Sequence, residues 1–276
     1  MIPPTMLSTI PETLLEFCIE SDMSEPCSLP MPSGSVISIS RRCPGKTEPN
    51  DDSSVVVRTA GGALVMAVAD GVGGCPLGYK ASAIAVHCIA EMVAASDPDA
   101  DLRPAILDGI EKANTEILDL GIGAATTLSV VEIVQGRVRA YTVGDSMTMI
   151  VGQRGSLKWK STSHSPVGYA VESGMLDEAA AMTHDDRHVV SNLVGSKTMH
   201  IEVGPSRQLA ARDRVILASD GLFDNMQLSE VVATMKSGKP MGCMQQLVQI
   251  ASQRMSGSDE QLPGKPDDLT MLLYAR

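Results

Sequence analysis

The sequence predicts an α+β fold, a four-layer α-β-β-α sandwich of two antiparallel sheets flanked by helix pairs. Three observations carry that expectation. Strand runs follow one another through short turns, as Ala124 to Val134 and Arg137 to Val143 do around Gln135-Gly136, the pattern of antiparallel hairpins. Helical patterns come in pairs, one pair after the first strands and one before the last. The chain has 276 residues, 43% of them hydrophobic, which is ample for the core of a single domain.

Residues 1–35 read as an N-terminal arm, partly extended or disordered, ahead of a main domain at 36–276. Six of the sixteen prolines fall between Met1 and Pro32, with a short apolar patch around Leu14, Leu15, Phe17 and Ile19 that has little to bury. Val36 to Ser40 opens the core as a strand. Ser54 to Arg58 and the strand ending at Asp70 form a hairpin across Gly61-Gly62, with Asp51 and Asp52 at its entrance. Ala81, Ile84, Ala85, Cys88, Ile89 and Met92 recur at helical spacing, as do Ile106, Ile110, Ala113, Ile117 and Leu118 after the start signal at Pro104.

Beyond the hairpin centred on Gly136, Met147 to Val151 and Leu157 to Trp159 continue the meander. Residues 164–188, rich in His, Asp and Glu with short helical signals, read as an excursion over the sheet rim. Strands are expected again at Val189 to Val194, Met199 to Val203 and Arg214 to Ser219. Helices follow at Ser229 to Met235 and Met241 to Met255, and the last strand runs from Leu269 to Tyr274.

Chemistry enters through the ends of these strands. Leu64-Val65-Met66-Ala67-Val68-Ala69 is an apolar run that meets Asp70 and then Gly71, Gly73 and Gly74, which places a carboxylate at a sheet rim beside backbone that a ligand can approach closely. The same design recurs at Val215 to Gly221 around Asp220, at Val138 to Ser146 around Asp145, and in reverse order where Asp267-Asp268 precedes Leu269 to Leu273. Any one of these aspartates alone reads as a strand-end turn former. As a set they read as a carboxylate cluster, which at neutral pH needs raised pKa values or hard cations. Oxygen ligands without His or Cys point to Mg²⁺ or Mn²⁺ rather than zinc.

A net charge of −11 argues against nucleic acid as a partner, because a phosphate backbone demands a basic face. The six cysteines (Cys18, Cys27, Cys43, Cys75, Cys88, Cys243) show no Cys-x-x-Cys pair and read as free thiols in a reducing compartment. No stretch approaches the length of a membrane span and no basic region leads an apolar N-terminus, so a cytoplasmic location is expected. The seventeen methionines read as filler in a core that has only 3% aromatic residues.

Several competing motifs fall away. Asp97-x-Asp99-x-Asp101 with Asp108 imitates a calcium loop, but Pro98 and Pro104 interrupt it and Leu102 stands where glycine is needed. The glycines after Asp70 are too closely spaced for a dinucleotide fingerprint, and there is no complete Gly-x4-Gly-Lys-Ser/Thr phosphate loop or Gly-x-Ser-x-Gly elbow. Cys75 lacks the Cys-x5-Arg context of a thiol phosphatase and reads as packing.

Six motifs in order, Asp51-Asp52-Ser53, Ala69-Asp70-Gly71-Val72-Gly73-Gly74, Ala125-Thr126-Thr127-Leu128, Val143-Gly144-Asp145-Ser146, Ala218-Ser219-Asp220-Gly221-Leu222-Phe223-Asp224 and Asp267-Asp268-Leu269-Thr270, resemble the metal-dependent Ser/Thr protein phosphatases of type 2C, especially bacterial members. The resemblance spans Val36 to Arg276. It implies hydrolysis of phosphoserine and phosphothreonine in proteins by a water or hydroxide bridging two Mn²⁺ or Mg²⁺ ions between the sheets. A pair of ions about 3.5–4 Å apart lowers the pKa of a shared water and polarises phosphoryl oxygens, so the chemistry agrees with the carboxylate cluster.

By motif, Asp70 resembles the carboxylate that bridges both ions, Gly71 lends its carbonyl, and Asp220 and Asp267 resemble ligands of the second ion. Asp268 stands where the family usually has asparagine. Asp52, with Asp51, resembles the acidic pair that holds metal-bound waters; Asp145, supported by Asp224, resembles the ligand of a third, weaker metal site. The excursion at 164–188 looks like the family's flap beside the mouth.

Two departures stand out. Val72 occupies the place where animal members often carry a histidine, and the phosphate-gripping arginine has no counterpart near Lys46, Thr47 and Glu48. Lys46 takes that role or is a solvated loop lysine. The partners implied are phosphoproteins, opposing a Ser/Thr kinase, with the chain a monomer. The rival readings are a non-catalytic binding module on the same fold and a phosphatase of a small phosphorylated metabolite.

Overall fold

A computed structural model describes residues 13–98, 100–257 and 264–276. The first strands are β1 (Leu14–Ile19), β2 (Cys27–Met31), β3 (Gly34–Arg41), β4 (Asp52–Arg58) and β5 (Leu64–Asp70), followed by helices α1 (Gly78–Ala94) and α2 (Leu102–Asp119). A meander comes next: β6 (Leu128–Val134), β7 (Arg137–Val143), β8 (Met147–Gly152) and β9 (Ser156–Lys160). The short helices α3 (Pro166–Glu172) and α4 (Glu178–Ala181) lie in the expected excursion, ahead of β10 (Glu202–Val203), β11 (Arg207–Gln208) and β12 (Arg214–Ala218). The chain closes with α5 (Asp220–Phe223), α6 (Leu228–Met235), α7 (Pro240–Met255) and β13 (Leu269–Ala275).

One antiparallel sheet has the order β1-β4-β5-β6-β7-β10, with β11 also on β7, and the other has the order β2-β3-β13-β12-β8-β9. The central strands read as unbroken apolar runs because both of their faces are covered. Along β5, Val65, Ala67 and Ala69 pack under α1 and α2, while Leu64, Met66 and Val68 point into the space between the sheets. On β13, Leu269, Met271 and Leu273 meet α6 and α7, and Leu272 and Tyr274 face inward. These three apolar layers, each alternating at the strand period, separate the four layers of the expected sandwich.

The helices begin where the sequence supplies donors or stops. The Asp101 side chain accepts from the Arg103 amide at the start of α2, Gln227 and Glu230 form a reciprocal cap on α6, and Pro240 opens α7.

Four segments differ from the sequence expectation. Part of the expected arm is built into the sheets, since β1 pairs along β4 and β2 along β3 as edge strands; residues 1–12 of that arm lie outside the described residues. Residues 189–194 form no strand, and the strand expected at 199–203 shrinks to β10. There the Asn192 side chain takes both backbone groups of His200, replacing a ladder with a side-chain clasp. Residues 124–127 are irregular instead of opening β6, because the Thr127 amide turns to the Asp70 carbonyl and the Thr126 amide to Val194. Finally, Asp220 starts a single helical turn, α5, that periodicity over four residues cannot announce.

Candidate active site

Antiparallel pairing gathers the acids at one end of both sheets. Asp52 at the start of β4 lies directly opposite Asp70 at the end of β5. In the second sheet Ala218 pairs with Met271, so Asp220, just past β12, and Asp267, just before β13, share an edge. Two bonds sew the sheets together at that edge: the Ser219 hydroxyl donates to Asp52 Oδ2 at 2.7 Å, and the Asp51 amide donates to Asp268 Oδ2 at 2.7 Å. Thr126 and Thr127 fix Asp70 from below, the Thr127 Oγ1 accepting its amide and the Thr126 hydroxyl donating to its carbonyl.

Burial and crowding push the carboxylates toward the protonated form. Asp70 is raised well above the ordinary carboxylate range, first by burial and then by Asp52, Asp220, Asp267 and Asp145. Asp52 is raised likewise by burial, against a lowering bond from Ser219, with Asp268, Asp267 and Asp220 adding to the rise. Burial followed by repulsion from Asp220 pushes Asp267 up to about 7 and Asp224 up to about 6, and burial with Asp220 and Asp224 pushes Asp145 up to about 8.

Two lysines face this cluster. Lys265 Nζ lies 2.6 Å from Asp220 Oδ2, 2.8 Å from Asp224 Oδ2 and 3.0 Å from Asp267 Oδ2. Burial alone would lower its pKa, but the three carboxylates outweigh that and hold it well above the usual lysine range. Lys46 Nζ lies 2.6 Å from Asp51 and 2.5 Å from Asp268. The reading of Lys46 as a solvated loop lysine therefore does not hold, since its side chain is 19% exposed and doubly paired.

Asp268 is a brace. It is 3% exposed and accepts from the amides of Cys43 and Asp51 as well as from Lys46, which pins the loop before β4 to the start of β13. Asp145 sits on the β7–β8 turn. Gly144 there has φ +98° and a Cβ would fall 2.7 Å from the Thr127 Cβ, so only glycine takes that turn. Buried His164 supports it: Nδ1 accepts from the Gly144 amide and from Asn192, leaving Nε2 to donate to Glu202 at 3.0 Å.

The donor set suits hard divalent cations. Asp52 Oδ1 and Asp220 Oδ1 are buried without a hydrogen-bond partner, and the Asp70 carboxylate has none among the described residues. Orphaned anionic oxygens of this kind are costly unless a cation meets them. Among the described residues no three His, Cys, Asp or Glu side chains converge on an open point; where Asp220, Asp224 and Asp267 converge, the Lys265 ammonium stands.

A family profile described as protein phosphatase 2C matches residues 41–257, most of the chain and every one of these acids except Asp267 and Asp268. The chain belongs to the protein phosphatase 2C family. Members are metal-dependent protein serine/threonine phosphatases. The chain is 28% identical to protein phosphatase PhpP of Streptococcus pneumoniae, over 71% of this chain and 82% of that one. It is 26% identical to the serine/threonine protein phosphatase PstP of Mycobacterium tuberculosis, over 83% of this chain but only 43% of PstP, so it spans less than half of that relative. The fold matches the S. agalactiae serine/threonine phosphatase with a TM-score of 0.74 at 24% identity, covering 87% of this chain and 99% of that one. It also matches the catalytic domain of PstP, solved with two manganese ions, with a TM-score of 0.68 at 19% identity over 95% of this chain and 98% of that one.

For a protein phosphatase 2C member, the residues that sequence reasoning singled out do come together: Asp52, Asp70, Gly71, Asp145, Asp220, Asp224 and Asp267 all lie at the shared rim, with Lys46 beside them. What it missed is Lys265. The one available signal was a lysine two positions before Asp267 in Gly264-Lys265-Pro266-Asp267-Asp268.

Proposed function

We propose that this rim removes phosphate from phosphoserine and phosphothreonine side chains of proteins with the help of Mn²⁺ or Mg²⁺. Asp70, Asp220 and Asp267, with the Gly71 carbonyl, would hold two ions in the core of the site. Asp145 and Asp224 line one cavity with Asp220, the place that a third positive charge, metal or otherwise, would take. When bound, such ions supply a nucleophilic water near neutral pH and withdraw charge from the phosphoryl oxygens.

The chain's own groups do the rest. Asp52, anchored by Ser219, and Asp51, anchored by Lys46, would accept hydrogen bonds from waters at the rim and orient them. Lys46 spends two of its three N–H donors on Asp51 and Asp268, leaving one to aim at a phosphoryl oxygen. Val72 has no proton to give, so the leaving serine or threonine oxygen takes its proton from solvent.

The mouth fits a protein substrate better than a small metabolite. Beside Asp145 and Asp220 a cavity of about 130 Å³ runs under α3 and α4, walled by Val167, Met182 and Phe223, with Arg187 at its side. An extended peptide on either side of the phosphorylated residue finds apolar contact there.

The observation that carries this reading is the pair of orphaned oxygens, Asp52 Oδ1 and Asp220 Oδ1, at the edge where Asp70 also ends. Hydrolysis of a phosphothreonine peptide in Mn²⁺ tests it. Activity should vanish reversibly with EDTA and fall at least ~10³-fold in Asp70→Asn, the scale on which a lost electrostatic stabiliser acts. Absence of metal-dependent hydrolysis in the unmodified chain would leave the binding-module reading, and turnover of small phosphate esters without any of phosphopeptides would leave the metabolite reading.

A further inference from the structure

Asp220 has two faces. Oδ1 is buried and unpartnered, whereas Oδ2 is bonded to Lys265. The same ammonium takes Asp224 Oδ2 and Asp267 Oδ2, so its three N–H donors meet three carboxylates and none remains for a substrate. Lys46 differs on this count, with two donors used. Lys265 is also held from behind: its amide donates to Asn225 Oδ1 and its carbonyl accepts from Asn225 Nδ2, which fixes the stem over α5. A side chain tethered at its backbone and saturated at its tip is a fixed charge.

We infer that Lys265 is a built-in cation that stands in for the third metal ion, its ammonium filling the place between Asp220 and Asp224 while also meeting Asp267. The chain then needs only the two core ions, and of the two Asp220 oxygens the unpartnered Oδ1 is the one left for them. This rests on the metal-dependent reading of the site. A third divalent ion between Asp220 and Asp224 would have to displace an ammonium that is already 2.6 and 2.8 Å from them, two like charges contesting one position. The tethered cation costs no binding entropy and does not depend on the free metal concentration, so the electrostatic support it gives is permanent.

Mn²⁺ binding by the full chain, read by equilibrium dialysis and titration calorimetry, tests the inference. Lys265→Met, which keeps the apolar stem and removes the charge, should take up one more Mn²⁺ per chain than the unaltered protein at the same free Mn²⁺. Its thermal unfolding temperature should also rise further on Mn²⁺ addition. Lys265→Arg, which keeps a cation, should bind the unaltered number. Lys265→Gln serves if the Met variant does not fold, since its amide still donates to the carboxylates.

Equal Mn²⁺ uptake by folded Lys265→Met or Lys265→Gln and the unaltered chain would overturn the inference. So would a result in which these variants change only inhibition by inorganic phosphate, because the lysine would then be a substrate group. The underlying reading fails separately: if Asp70→Asn binds as much Mn²⁺ as the unaltered chain, the rim is no metal centre at all.

Discussion

Replacing Asp145 by asparagine should stabilise the chelated protein, and by an amount that grows with pH. Burial, then Asp220 and Asp224, push the Asp145 carboxyl up to about 8, with Lys265 pulling the other way. An aspartate in the unfolded chain titrates near ~3.9. Between those values the folded protein keeps a proton that the unfolded one has released, so this group's contribution is most favourable below the lower value and is lost as pH climbs toward the upper one. Each pH unit in that window costs about 1.4 kcal/mol for one proton. From pH 5 to pH 8 that is about 4 kcal/mol for a lone group; sharing of protons with Asp220 and Asp224 brings the expected net to on the order of 2 kcal/mol. At roughly 2–4 °C per kcal/mol for a chain of this size, Asp145→Asn should unfold about 4–8 °C above the unaltered protein at pH 8 and level with it near pH 4 to 5. Thermal unfolding followed by circular dichroism in EDTA reads the gap directly. A gap that stays constant across this range, or that favours the unaltered chain at pH 8, would refute the electrostatic account of the rim.

Two more outcomes follow from single contacts. Lys46→Ala should raise KM for a phosphopeptide on the order of 10-fold with a smaller change in kcat, as loss of a charge-assisted contact to phosphate predicts, and Lys46→Arg should restore part of it; steady-state kinetics over a peptide series decides. Gly221→Ala would put a Cβ 2.0 Å from the Asp268 carbonyl oxygen, backbone that cannot yield without moving Asp220 or β13. Mn²⁺ affinity should fall and unfolding should come several degrees earlier in that variant, and unchanged calorimetry in both respects would count against the close approach.

How much of this was written in the chain can be judged residue by residue. Strands β5, β12 and β13 were legible because burial on both faces makes a run of apolar residues that ends abruptly at Asp70, Asp220 or Asp267. The helices α1 and α2 announced themselves through periodicity, α2 also through Pro104 in its first turn, and α6 and α7 fell where helices were expected before the last strand. The segment 189–203 misled, since its Val and Ile content suits a strand while Asn192 satisfies the backbone instead. β1 and β2 were hidden because edge strands bury one face and need no continuous apolar run.

The sequence by itself therefore determined which side chains would carry the chemistry, because acids at the ends of apolar strands are a local pattern and their order along the chain is readable without coordinates. Only the tertiary structure decided how those acids are neutralised. Lys46 and Lys265 lie 222 and 45 residues from the carboxylates Asp268 and Asp220 that they meet, and β13 must pair with β3 and β12 before either ammonium reaches them. Electrostatic energy depends on distance through space, and no pattern along the chain records that distance until strands far apart in sequence have paired.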